Sequence, residues 1–241
     1  MDSNAALKQV PVWDLPVRLF HWLLVLLLAL LWMSGQFGGL DLSLPLPGGK
    51  TLFLTNMDVH ALLGQAVLVL VVFRLLWGVV GSTTARFASF VRGPRAVLSY
   101  LQAMLRGQTP VTVGHNPAGG LMIVLLLGLL LLQSVTGLFA NDDIFFEGPL
   151  ARLVTSETSA QLTELHGWSF KLLQVAAALH VAAVMYYLLR GKNLVRAMVT
   201  GRKSHTLVAA AEVTGLRRAP AWLALLLLLL AGLVVWALRW L

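Results

Sequence analysis

Residues 166–180 read HGWSFKLLQVAAALH. They lie inside a longer run, from about Leu165 to Leu189, that is apolar enough to cross a membrane. About 20 residues of helix span the roughly 30 Å of hydrocarbon, and a histidine inside such a span is expensive unless it is paired or functional. His166 and His180 are fourteen residues apart. On an α-helix that separation turns through about 1,400°, four turns less about 40°, and rises about 21 Å. The two side chains therefore share a face at two depths. They cannot hold one metal ion together, but each can serve a separate group near one membrane surface.

The rest of the chain has the same character. Of 241 residues, 58% are hydrophobic and 12% charged, which points to an integral membrane protein rather than a soluble domain. The chain has no cysteine, so disulfides, thiolate metal sites, iron–sulfur clusters and covalent c-type haem attachment are excluded. The net charge of +8 is read as basic loops held on one side of a membrane, not as a nucleic-acid surface. Four more runs resemble the first: about Arg18 to Gln36, Asp58 to Val80, Pro117 to Ala140 and Pro220 to Leu241. Runs this long and apolar are helices, not barrel strands. Asn116 with Pro117 is a good helix-start signal, and Pro220 plays the same part for the last run. No small-residue cleavage site follows the first run, which is read as a retained span rather than a signal peptide. Residues 93–107, GPRAVLSYLQAMLRG, form a short amphipathic pattern begun by Pro94. Val97, Leu98, Leu101, Met104 and Leu105 share a stripe suited to lying on a membrane surface.

The loops set the orientation. Arg86, Arg92, Arg95 and Arg106 lie between the second and third runs, with no acid. Arg190, Lys192, Arg196, Arg202, Lys203, Arg217 and Arg218 follow the fourth run, against Glu212 alone. The other two loops carry only Lys50 and Arg152, and residues 141–164 hold Asp142, Asp143, Glu147, Glu157 and Glu164. Cationic loops stay cytoplasmic. The N-terminus is then cytoplasmic, and five crossings put the C-terminus outside.

Two more histidines match His166 and His180 in depth. His21 lies near the inner end of the first helix and His60 near the outer end of the second. Depth pairs His60 with His166 on the outer side and His21 with His180 on the inner side. Four imidazoles in two pairs suit two bis-histidine haems b stacked across a bilayer. Taken singly, each is equally at home as a hydrogen-bonded residue or a proton relay. Arg74 lies fourteen residues after His60, on the same face and at about the depth of His180. A propionate of the inner haem would pair it; snorkelling to the nearby surface is the alternative. Gly64 and Gly167 leave room for a flat ring, although ordinary helix packing uses glycine as often. His115 and His205 fall in basic loops and are read as solvated. His115 and Asn116 are also candidates for a quinone contact, which loop capping explains equally well.

The segments VWDLPVRLFHW (12–22), HALLG (60–64), FRLLWGVVGSTTARFASF (73–90), GHNPAGGLM (114–122) and ALHVAAVMYYLLRGKNLVRAMVTG (178–201) together resemble the prokaryotic cytochrome b561 and Ni/Fe-hydrogenase b-type cytochrome subunit group, over about residues 10 to 203. The resemblance implies an all-α membrane protein in which four helices bundle around two haems b. The axial ligands would be His21, His60, His166 and His180, the set already reached by depth. It also implies electron transfer between a quinone pool, ubiquinone or menaquinone, and a redox partner, in a bacterial inner membrane. Residues 1–203 would form this di-haem domain, and residues 204–241 a linker and an extra transmembrane helix.

Three functions of different classes follow. The first is an electron carrier between quinone and a periplasmic c-type cytochrome or hydrogenase-like subunit. The second is a stand-alone quinone-linked oxidoreductase acting on a small one-electron substrate such as superoxide; Lys50, Arg152 and Lys171 would offset the acidic loops that repel an anion. The third is a haem-free proton-relay transporter built on histidine and arginine.

Overall fold

A computed structural model describes residues 9–108, 112–144, 146–204 and 215–241. His205 and Glu212 lie outside these described residues. Among the described residues, five helices are long and apolar enough to cross a membrane. In chain order the helices are α1 (Leu15–Gln36), α2 (Asn56–Val80), α3 (Phe87–Phe90), α4 (Pro94–Leu105), α5 (Pro117–Leu138), α6 (Ser156–Leu189), α7 (Leu194–Thr200) and α8 (Ala221–Ala237). The five expected spans are α1, α2, α5, α6 and α8. The all-α expectation needs one addition. Strands β1 (Gln9–Pro11) and β4 (Arg202–Ser204) pair antiparallel, as do β2 (Leu42–Pro45) and β3 (Thr51–Leu54). All four strands lie in segments flanking the long helices, where short polar and proline-containing stretches satisfy their backbone by pairing.

The largest departure in boundaries is α6. It begins at Ser156, nine residues before the expected Leu165, and runs for 34 residues, about 51 Å at 1.5 Å per residue. Hydropathy marks where lipid begins, not where the helix begins. Glu157, Ala160, Gln161, Leu162 and Glu164 are good helix formers, so the helix extends past the apolar stretch. His166 and His180 lie on one unbroken helix.

The chain divides into two compact units. The first comprises Met1–Phe20, Arg74–Leu127 and Gln174–Leu227. Its small core is Val10, Val12, Trp13, Val113 and Ala197, with Leu216 against it. Asp14 starts α1 by accepting Val17 N–H at 2.9 Å, and its other carboxylate oxygen accepts the indole N–H of Trp77 at 3.0 Å. Gly201, in the left-handed conformation at φ 78°, ends α7, and its carbonyl accepts both Val12 N–H and Trp13 N–H. A residue with a Cβ resists that backbone geometry. Lys203 donates to the carbonyls of Val113 and Gly114 at 2.9 and 3.1 Å. On α4, Val97 and Tyr100 are buried while Leu98 and Leu105 are exposed. The packed stripe therefore includes Tyr100, whose hydroxyl meets that of Tyr187 at 2.8 Å, and leaves Leu98 and Leu105 outward.

The second unit comprises His21–Phe73, Gly128–Leu173 and Leu228–Leu241. Leu68, Leu138, Leu150 and Val235 form its core, with Val69, Val72, Phe139 and Leu238 around them. The end of the last helical segment is fixed by Arg239, whose guanidinium donates twice to Gln65 Oε1, at 2.7 and 3.0 Å. Many large apolar side chains, among them Leu26, Leu125, Leu172, Leu229 and Trp222, stay exposed. A multi-pass membrane protein presents such side chains to lipid.

Candidate functional site

In the second unit, His60 on α2 is pressed against α1. Its Nδ1 lies 2.7 Å from Ser34 Oγ. The Ser34 hydroxyl also reaches Leu31 O at 3.1 Å; with its proton directed there, the imidazole N–H donates to Ser34. That logic puts the proton on Nδ1 and leaves Nε2 as the nitrogen with a free lone pair. A Cβ at Gly35 would lie 3.3 Å from His60 Cε1, so glycine is what lets the ring approach α1 this closely.

His166, on α6, is held by α5 in the same unit. Its Nδ1 donates to Gln133 O at 2.9 Å, with Thr136 Oγ1 a longer neighbour at 3.2 Å. Thr136 spends its hydroxyl proton on its own helix, on Leu132 O and Gln133 O. A carbonyl only accepts, so Nδ1 again carries the proton. A Cβ at Gly137 would stand 3.0 Å from His166 Cε1, and glycine again permits the approach. Gly64 and Gly167 behave differently: a Cβ there would meet nothing within 4 Å, so neither is needed for helix contact.

His21 lies on α1 and His180 on α6, both half-buried. His180 belongs to the first unit with Arg74 and His115. Arg74 is only 3% exposed, and its Nη1 is buried without a hydrogen-bond partner among the described residues. Its guanidinium lies 5.1 Å from the centroid of the Phe87 ring. A snorkelling arginine reaches outward; this one is enclosed. His115 corrects the solvated reading made from its loop position. Its ring sits between Trp13, at 4.3 Å between centroids, and Phe90, at 4.9 Å, and its Nδ1 is buried without a partner among the described residues. Burial first, then the charges of Arg74 and Lys203, hold His115 well below the ordinary imidazole pKa. Asn116 works as a cap, with Oδ1 accepting Gly119 N–H at 2.7 Å, while its amide donates to Tyr187 OH at 3.1 Å.

These residues fit a b-type haem. Two imidazoles in one unit have their Nδ1 protons tied down, which is how ligating histidines are oriented. One enclosed guanidinium has a spare donor suited to a carboxylate. Sequence reading missed Ser34, Gly35, Gln133, Thr136, Gly137 and Ser169. Their signal was present: WMSGQ (32–36) and QSVTG (133–137) are polar-and-glycine clusters in or at the end of leucine-rich spans, where polar groups are expensive without partners. Of the cations suited to attracting an anion, Lys171 stacks on Trp168 at 4.1 Å and Arg152 reaches Arg239 O at 3.5 Å.

Apolar spans carrying half-buried histidines and a buried arginine define a multi-pass helical membrane protein equipped to hold a redox cofactor. The family model "Prokaryotic cytochrome b561" matches residues 12–201, and the chain belongs to that family. It is 30% identical over 119 residues to the "Probable Ni/Fe-hydrogenase 1 B-type cytochrome subunit" of Escherichia coli strain K12, across 44% of this chain and 49% of that protein. The same figures hold for the protein of that name from Escherichia coli O157:H7. The match spans about half the length of these curated relatives.

Proposed function

We propose that the protein is a di-haem membrane electron carrier, with His60 and His166 ligating one haem b and His21 and His180 the other. The observation that carries the reading is a pair of Nδ1 contacts, His60 with Ser34 and His166 with the Gln133 carbonyl. Each contact would orient its imidazole with Nε2 as the nitrogen offered to iron. Bound haem would supply one-electron chemistry, and the chain does the rest. Ser34 and the Gln133 carbonyl hold the two imidazoles against rotation. Arg74 keeps an inner-haem propionate ionised, and that pairing offsets the cost of a buried cation. With His60 and His166, and His21 and His180, holding the groups, the chemistry supplied would be electron transfer rather than oxygen binding.

The basic loops orient the His21–His180 haem toward the cytoplasm and the His60–His166 haem toward the periplasm of a bacterial inner membrane. Electrons then pass between ubiquinone or menaquinone and a periplasmic redox partner. A hydrogenase-type partner is suggested by the names of the relatives, and a c-type cytochrome is the other choice. The superoxide reading draws no support from Lys171 or Arg152, since both are engaged by neighbours, and membership of a cytochrome family speaks against a haem-free relay. Purified protein should show a sharp α-band on reduction and about two haems b per chain by pyridine haemochrome. One haem or none per chain would reject the pairing.

A further inference from the structure

The segment from Arg86 to Gly107 carries four arginines, and the chain has no acidic residue between Asp58 and Asp142 to neutralise them. Two of the four are spent on nearby groups. Arg86 reaches Thr83 Oγ1 at 3.4 Å, and Arg92 donates to the carbonyls of Ala88, Ser89 and Val91 around the end of α3. Arg95 and Arg106, in α4 and at its end, are exposed, and their guanidinia meet no partner among the described residues. Helix α4 has three faces. Val97 and Tyr100 are buried, and the Tyr100 hydroxyl meets that of Tyr187 on α6 at 2.8 Å. Arg190 donates to Gly107 O at 3.4 Å, which ties the end of α4 to the end of α6. Leu98 and Leu105, 59% and 84% exposed, are seven residues apart and form one stripe, about 120° round from the buried face. Arg95 and Arg106, eleven residues apart, form a second stripe about 80° further round, nearly opposite the buried face.

We propose that this side of α4 binds an anionic phospholipid, its headgroup phosphate against Arg95 and Arg106 and its acyl chain along Leu98 and Leu105. The ligand has to be anionic at one edge and apolar at the next, because the free cations and the exposed leucines are neighbours on one helix. A helix divided in this way lies in the headgroup layer with its apolar stripe turned toward the acyl chains, where the leucines leave water. Arginines clustered beside membrane spans draw anionic lipid, and a guanidinium keeps its charge at any physiological pH. A protein partner would have to present carboxylates and an apolar ridge in matching register; one phospholipid carries both parts, and five helices of this chain are already suited to lipid. The proposal does not depend on the haem assignment.

The test uses the full chain, whose lack of cysteine lets a nitroxide be placed on a single introduced thiol. In nanodiscs of phosphatidylcholine and phosphatidylglycerol holding one copy each, a label on Leu105→Cys should be relaxed more by oxygen, which partitions into lipid, than by a water-soluble nickel chelate. A label on Ala96→Cys, nine residues earlier and so on the opposite side of the helix, should show the reverse order. A Leu105→Cys label reached mainly by the nickel chelate, or shielded by protein from both reagents, overturns the proposal. Binding of phosphatidylglycerol to the full chain is then measured by native mass spectrometry. Arg95→Gln with Arg106→Gln should weaken the tightest-bound lipid by about fivefold per arginine. Arg196→Gln with Arg218→Gln removes the same charge from other exposed positions and should change it by less than about twofold. Equal losses in the two pairs would mean attraction by net charge alone and overturn the site, as would no loss in the first pair. Should the Arg95 and Arg106 pair fail to fold, the parent chain decides: equal affinity for phosphatidylcholine and phosphatidylglycerol overturns the proposal.

Discussion

At Arg74 a positive charge sits where neither water nor lipid headgroup reaches it, since the residue is 3% exposed. One donor of its guanidinium is left over after packing. Paired with an inner-haem propionate as proposed, it would raise that haem's potential, because a nearby positive charge favours the reduced iron. Arg74→Leu should lower the inner-haem potential by about 30–60 mV, the one-electron equivalent of roughly 1 kcal/mol, and leave the outer haem nearly unchanged. A redox titration that moves only the outer haem, or neither, returns Arg74 to a packing role against Phe87. His115 makes a second statement at this scale. Its folded-state pKa is depressed, so the folded protein binds fewer protons than the unfolded chain below about pH 6.5. The stability it contributes is complete above that pH and is lost as pH falls through the folded value. Between about pH 7 and pH 5 the Tm of the parent should fall more than that of His115→Asn; parallel curves would show that His115 does not titrate on unfolding. The buried state of His115 was not legible in the sequence. Its rings of contact come from Trp13 and Phe90, 102 and 25 residues away, and loop position alone reads as solvent. That Arg74 shares a helix and a face with His60 was legible, because fourteen residues fix both rise and face; that its guanidinium is enclosed was not.

Among the elements, α6 carries most of the argument. One continuous helix holds His166 and His180, about 21 Å apart along its axis, so the two positions can be damaged independently. His166→Ala should remove the outer haem and His180→Ala the inner, each leaving about one haem per chain and one potential in the titration. A variant His180→Ala that keeps the inner potential and loses the outer one would show that depth had paired the histidines wrongly. The existence of α6 and its apolar stretch were legible from hydropathy. Its first two turns were not, because Glu157 and Glu164 interrupt the apolar run while favouring helix all the same. Helix α4 teaches the complementary lesson. Pro94 and the stripe announced an amphipathic helix, but Tyr100 joined the packed face through Tyr187 while Leu98 turned outward. A period of 3.6 identifies a face without saying what it packs against.

For the whole molecule, charge and span number decide topology. Of the chain's Lys and Arg, only Lys50, Arg152, Lys171 and Arg239 belong to the second unit. On the proposed orientation, basic loops on the cytoplasmic side and crossings by all five candidate spans would place the C-terminus in the periplasm. A reporter fused after Leu241 should be active only in a form that reads the periplasm, and one fused at about Lys203 only in a form that reads the cytoplasm. A cytoplasmic signal at Leu241 would mean that α8 does not cross. The sequence by itself determined the membrane class, the five candidate spans and the positions of His21, His60, His166, His180 and Arg74 along their helices. Hydropathy and helical rise are local properties, set by each run of residues without reference to any other. The tertiary structure alone decided which groups touch those histidines: Ser34 and Gly35 of α1 against His60, and Gln133 and Gly137 of α5 against His166. Such contacts depend on the rotation and separation of neighbouring helices, and no one-dimensional period encodes how one helix is turned against the next.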